Sequence, residues 1–235
     1  MTRTRIAVLA SGGGTNLEAI LGHFERLGDR RRGDIAVVAS DRATAGALER
    51  ARRHRVPTDV IAVSGRTAPG ADLAQVLERF DIELIALAGY LRHVPDEVVH
   101  RYAGRIVNVH PALLPAFGGA GLYGGRVHEA VLAAGVTVSG VTVHFVDEEY
   151  DRGAIIAQWP VPVFRNDDAR SLAARVLRVE HLLYPRVVNA VAGGEVTLAA
   201  CQAGRRLDPG AGAEFRMLSH EDDCLAEDID RALGC

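Results

Sequence analysis

The chain has 235 residues, 48% hydrophobic and 24% charged, with a formal net charge of −3. That length fits one well-buried domain with at most an appendage, and the charge offers no general attraction to nucleic acid. No apolar run reaches the roughly 20 residues that cross a bilayer, and Ile6–Ala10 is shorter than the roughly 7–15 residues of a secretory core, so a cytoplasmic protein without membrane association is expected.

Cys201, Cys224 and Cys235 are late, odd in number and without metal-ligand spacing, which argues against a disulfide framework or a zinc site. Every basic residue is arginine. A P-loop lysine and a Schiff-base mechanism are therefore excluded.

The apolar run Arg5–Ala10 predicts a first strand. The loop Ser11-Gly-Gly-Gly-Thr-Asn16 follows, and Leu17, Ile20, Leu21 and Phe24 then recur at helical spacing. Strand, glycine loop and helix start form an anion-site pattern: glycines admit close approach, Thr15 or Asn16 is expected to cap, and first-turn N–H groups face a phosphate or carboxylate. Arg30–Arg32 reads as a solvated loop. Strands are expected over Asp34–Ser40, Thr58–Ser64 and Ile82–Ala88, alternating with helices over Ala45–His54 and Ala71–Phe80. This alternation predicts an α/β fold: an open, mainly parallel twisted sheet with helices on both faces and a Rossmann-like amino-terminal half. The ligand crevice should lie at the carboxyl ends of the first and fourth strands, with Ser11–Asn16 facing the loop Gly89–Val94.

The fifth strand is Arg105-Ile-Val-Asn-Val-His110, ended by Pro111. Period-two alternation puts Asn108 and His110 on one face, an amide and an imidazole side by side at the crevice. Five glycines between Gly118 and Gly125 read as a lid segment. A helix over Arg126–Ala134 follows, then strands over Thr137–Val146 and Ala154–Val163 joined by the acidic loop Asp147–Gly153. A hairpin beside the fifth strand would bring one of these carboxylates to His110, though spacing does not choose which. Asp167 or Asp168 should cap a long helix to about Ala192, on which Glu180-His181 reads by itself as an exposed pair; Val196–Ala200 is expected to add a strand. Residues 208–235 are polar and acidic and read as a peripheral tail.

Five stretches carry a family likeness: LASGGGTNLEAI, LAGYLRHV, YAGRIVNVHPALLP, GVTVHFVDEEYDRGAIIAQ and ARVLRVEHLLYP. In this order and spacing the chain resembles the folate-dependent formyltransferases of the glycinamide ribonucleotide transformylase type, from about Ile6 to Leu207. The resemblance implies one formyltransferase domain over 1–207, with a phosphate-binding half to about 104 and a catalytic and folate half from 105. It implies formyl transfer from 10-formyltetrahydrofolate to glycinamide ribonucleotide in purine synthesis, without metal, by a monomer or homodimer. Asn108, His110 and Asp151 fall on the family's catalytic residues, which singles out Asp151 in the acidic loop. Gly13, Gly14, Thr15 and Asn16 fall on the phosphate loop, Arg66 on a phosphate-binding arginine, and Glu180 on the glutamate that meets the substrate amine. Leu91, Arg92, Val94, Val146 and Asp147 fall on the folate pocket, and a cis peptide is implied at Leu114–Pro115. The stretch FGGAGLYGG departs from the family pattern, and Gly118–Gly119 is expected to loosen it.

Three other readings of the same residues exist. A formyltetrahydrofolate deformylase shares the motifs but carries an amino-terminal regulatory domain, whereas the first strand here begins at residue 5; methionyl-tRNA formyltransferase needs a further RNA-binding domain. A dinucleotide-binding module would use Gly12-x-Gly14 and Asp41, but Leu17 stands where that fingerprint has its third glycine.

Overall fold

The computed structural model describes residues 2–61, 71–204, 227 and 229. Seven strands form one sheet: β1 (Thr4–Leu9), β2 (Gly33–Ser40), β3 (Thr58–Val60), β4 (Leu84–Leu87), β5 (Ile106–His110), β6 (Val138–Phe145) and β7 (Ile155–Pro162). The helices are α1 (Thr15–Leu27), α2 (Gly46–Arg53), α3 (Ala71–Arg79), α4 (Asp96–Arg101), α5 (Gly125–Ala133), α6 (Ala169–Ala192) and α7 (Leu198–Gln202).

The strand order is β3-β2-β1-β4-β5-β6-β7. The first five pair in parallel, and β6 and β7 join as an antiparallel hairpin on β5. From β1 the chain runs outward to β2 and β3, then returns to β4 on the other side. That reversal opens a crevice beyond the carboxyl ends of β1 and β4.

Both faces of the sheet are covered, which is why β1 and β4 read as unbroken apolar runs. Ile6 and Val8 point into a cluster with Leu17 and Ile20 of α1, Leu48 of α2 and Leu183 of α6, whereas Ala7 and Leu9 point into one with Leu77 of α3 and Val98 of α4. Helix α6 is set at its start by a reciprocal capping box between Asp168 and Ser171, and Arg175 pairs with Asp167 at 2.7 Å. Further along, the buried Tyr184 hydroxyl lies 2.9 Å from the Leu87 carbonyl at the end of β4 and 3.1 Å from that of Val107 near the start of β5, donating between the two strands. The long helix is thereby registered against the strands that carry the crevice.

Two local expectations are corrected. Val196–Ala200 does not extend the sheet: Thr197 accepts from Ala200 N and caps α7, and the alanine-rich stretch after it takes the helical state. Neither Thr15 nor Asn16 caps α1: the N-cap is Gly14 in the left-handed region, with no side-chain cap. In addition, Arg31 is not simply solvated, since its Nε donates to Asp34 at 2.7 Å. Of the acidic extension only Glu227 and Ile229 are described, and Ile229 is fully buried in the cluster containing Leu183.

Candidate active site

The crevice is a cavity of about 420 Å³. At one end stand Asn16, at the start of α1, and Glu180, on one side of α6. Asn16 Nδ2 donates to Glu180 Oε2 at 2.6 Å, while Asn16 Oδ1 is buried without a partner. Glu180 is only 8% exposed, contrary to the exposed pair its neighbours in sequence imply, because α1 packs on this face of α6. Burial pushes its carboxyl up to about 7, against the opposing pull of the Asn16 bond. Gly13, Gly14 and Thr15 adjoin Asn16 but are not among the cavity walls; Arg66 lies outside the described residues. A Cβ on Gly14 would stand 2.6 Å from Ala47 Cα, so φ of +78° and the approach of α2 both require glycine there.

At the centre stand Asn108 and His110, on the same face of β5 as alternation predicts, with Pro111 following at once. His110 Nε2 donates to the Phe117 carbonyl at 2.9 Å, which turns Nδ1 toward Asp151 Oδ2 at 3.5 Å. The hairpin thus selects Asp151 from the acidic loop. Its φ of +58° is strained for a non-glycine residue and aims the carboxylate inward. Gly153 makes the tight turn possible, since a Cβ there would meet the Phe145 carbonyl oxygen at 1.9 Å.

Burial lowers the His110 imidazole, as does the neighbouring His144, although Asp151 and the Phe117 carbonyl act the other way. Burial raises Asp151, but His144, His110 and the Gly119 N–H together outweigh it and hold the carboxyl below its usual range. The site therefore holds a neutral imidazole beside an ionised carboxylate near neutral pH.

His144 has a part that the motifs did not assign to it. Its Nδ1 donates to the Phe145 carbonyl at 2.7 Å, which makes Nε2 the acceptor for Asn108 Nδ2 at 3.1 Å and leaves Nε2 3.6 Å from Asp151 Oδ1. It therefore fixes which way the Asn108 amide faces. The antiparallel register sets Asn108 opposite His144 and His110 opposite Thr142. A histidine alternating with valines in TVHFV hinted at this, but only the register completes it.

Leu91, Arg92, Val94, Val146 and Asp147 also line the cavity. Leu91 N donates to Ser11 Oγ at 2.9 Å, tying this loop to the end of β1, and His93 Nε2 donates to the Glu148 carbonyl at 3.2 Å, tying it to the hairpin loop. Tyr90, within the loop expected at the crevice, and the buried His128, which was not singled out, also line the cavity. The glycine-rich segment forms a further wall through Gly119, Gly121 and Tyr123.

That segment is not loosened at its start. A Cβ on Gly118 would meet Leu114 Cδ2 at 2.4 Å and Asp151 Cβ at 3.1 Å, and Gly119 N donates to Asp151 Oδ2 at 2.9 Å. Glycine here serves close packing on the carboxylate. The Leu114–Pro115 peptide is cis. Among the described residues, no group of three or more His, Cys, Asp or Glu side chains is placed to hold a metal ion, and no helix is long and apolar enough to cross a membrane.

Comparison with known proteins accords with this arrangement. Residues 4–188 match the formyl transferase family model. A chloroplastic phosphoribosylglycinamide formyltransferase of Vigna unguiculata is 43% identical over 192 residues, covering 80% of this chain and 61% of that protein, so the chain spans about three fifths of this plant relative's length. The glycinamide ribonucleotide transformylase 1 of Symbiobacterium toebii superposes with a TM-score of 0.75 at 42% identity, covering 82% of this chain and 89% of that one. A formyltetrahydrofolate deformylase of Pseudomonas syringae pv. tomato has a TM-score of 0.73 but 25% identity, covering 82% of this chain and 62% of its own. The chain belongs to the formyl transferase family, and within it to the phosphoribosylglycinamide formyltransferases.

Proposed function

We propose that this protein transfers the formyl group of 10-formyltetrahydrofolate to the amine of glycinamide ribonucleotide, a step of purine synthesis. The observation that carries the reading is the convergence of Asn108, His110 and Asp151 midway along one cavity. A buried carboxylic acid and an anion-binding pattern lie at one end of it, and a mainly apolar cleft between two loops at the other. In this reading the ribonucleotide phosphate rests on the Gly13–Asn16 amides, with Arg66 assisting, and Glu180 meets the amine. The folate ring system lies among Leu91, Arg92, Val94, Val146 and Asp147. The apolar walls and the backbone groups of these loops suit a flat heteroaromatic ligand with polar edges.

The chemistry follows from the charges. Attack of an amine on a formyl carbon builds negative charge on the formyl oxygen, and donors fixed where that charge appears lower the barrier. Asn108, its amide orientation set by His144, supplies one N–H. His110 supplies a second once protonated on Nδ1. The attacking nitrogen must lose a proton and the departing nitrogen must gain one; Asp151, ionised and 3.5 Å from His110, holds the His110 charge state before the transfer and then carries the proton from one nitrogen to the other, directly or through a water.

Hydrolysis of the formyl group to water is the second reading, and the much lower identity to the deformylase disfavours it. Mass spectrometry of the products separates the two: formylated ribonucleotide supports transfer, and free formate with unmodified ribonucleotide contradicts it. The proposal further takes 1–207 as one catalytic domain with 208–235 appended, acting as a monomer or homodimer in the cytoplasm. Size-exclusion chromatography with light scattering and fluorescence imaging of the tagged chain test those parts.

A further inference from the structure

The carbonyls of the glycine loop are held from behind by α2. Ala47 N donates to the Gly12 carbonyl at 3.0 Å, and Arg50 Nε, one turn further along, donates to the Gly13 carbonyl at 2.8 Å. Arg50 Nη1 reaches on to Glu18 Oε2 of α1 at 3.1 Å, and the other oxygen of that carboxylate meets His54 Nε2 at 2.8 Å. A single guanidinium therefore bridges the loop, α1 and α2. The loop and the start of α2 abut closely enough that a Cβ on Gly46 would stand 3.2 Å from Gly13 Cα.

In a planar trans peptide the C=O and the next N–H point opposite ways. Holding the Gly12 carbonyl against α2 turns the Gly13 N–H away from α2, and holding the Gly13 carbonyl does the same for Gly14. Both N–H groups are then turned from α2, immediately before the start of α1, which has no side-chain cap. Successive N–H groups turned one way, beside open first-turn amides, form an anion-binding concavity. Three consecutive glycines have more backbone freedom to lose than any other tripeptide, so whatever fixes their peptides before the anion arrives removes that ordering cost from binding.

We propose that Arg50, anchored by Glu18, is a positioning residue of the phosphate loop: it pins the Gly13 carbonyl so that the loop amides are preset for the ribonucleotide phosphate. The inference rests on the reading of Gly13–Asn16 as the phosphate site. Arg50 acts on the loop backbone and has no part in the transfer step.

The test uses the full chain with R50A, R50K and E18Q. It combines steady-state kinetics for both substrates with calorimetric titration by glycinamide ribonucleotide and by inorganic phosphate. R50A is expected to raise KM and Kd for the ribonucleotide about tenfold or more while kcat and the folate KM stay within about twofold. R50K recovers only part, because an ammonium cannot hold Gly13 and Glu18 in one planar fork. E18Q, which keeps the arginine and weakens its anchor, gives a rise of a few-fold in the same constant and serves if R50A does not fold. Unchanged ribonucleotide affinity in both R50A and E18Q overturns the proposal. So does full recovery in R50K, which would mean charge alone, or an equal loss across both substrates and kcat, which would mean general destabilisation. A wild-type protein that binds neither ribonucleotide nor phosphate refutes the phosphate-site reading itself, and the Arg50 role with it.

Discussion

Replacing Glu180 by glutamine keeps the shape of the side chain and an oxygen for the Asn16 amide while removing the titration. The folded carboxyl sits at about 7, against an ordinary value of 4.5, because it is buried between α1 and α6. A carboxyl raised on folding is fully compatible with the folded state below pH 4.5, where both states carry the proton. Above that the folded chain retains a proton the unfolded chain has released, and stability falls until the pH passes about 7. The full difference is about 3 kcal/mol, at about 1.4 kcal/mol for each pH unit that separates the two values, and most of it falls between about pH 5 and about pH 8.5. Urea unfolding of wild type and E180Q across that range isolates the contribution, since other titrations cancel in the difference. The stability of E180Q relative to wild type should climb with pH by about 2–3 kcal/mol. A flat difference, or one that falls with pH, would refute the reasoning from burial.

Further predictions concern the centre of the site and its scaffold. H110A and D151N should each lower turnover on the order of 10²–10³ while leaving calorimetric affinity for the ribonucleotide within a few-fold; near wild-type turnover in either would remove the proposed role. G118A should cut turnover about tenfold and destabilise by about 1–3 kcal/mol, because the added methyl displaces the Leu114 side chain or the Asp151 Cβ it would press against. Turnover and melting temperature both unchanged would show that the segment yields freely. Y184F removes the donor shared by the Leu87 and Val107 carbonyls and should cost about 1–3 kcal/mol in denaturant unfolding. A value near zero would mean that α6 is held to β4 and β5 by packing alone.

The sheet was legible because its signals are local. Strands covered on both faces must be apolar throughout, as Ile6–Leu9 and Leu84–Leu87 are, and their alternation with helices fixes the parallel order. The same holds for Asn108 and His110, whose common face needs only period-two geometry. Legibility fails where the deciding partner is distant in sequence. Spacing left four acidic residues of the Asp147–Gly153 loop open, and the family likeness chose Asp151; physically the choice is made by the turn at Gly153 and the register of β6 on β5. His144 escaped notice for the same reason, its role appearing only once the register sets it opposite Asn108. Glu180 reads as exposed from its own helix and is buried because α1 lies across it. At Val196–Ala200 two β-formers at the start suggested a strand, yet Thr197 caps a helix from that very position. Glycines were the most ambiguous signal: Gly118 reads as slack and is a point of close contact.

The central claim is tested most directly by a spectrophotometric assay with 10-formyl-5,8-dideazafolate, run with and without glycinamide ribonucleotide. The account predicts an absorbance change that requires the ribonucleotide and is lost in H110A and D151N. An equal change without the ribonucleotide, or none in either mixture, would contradict it.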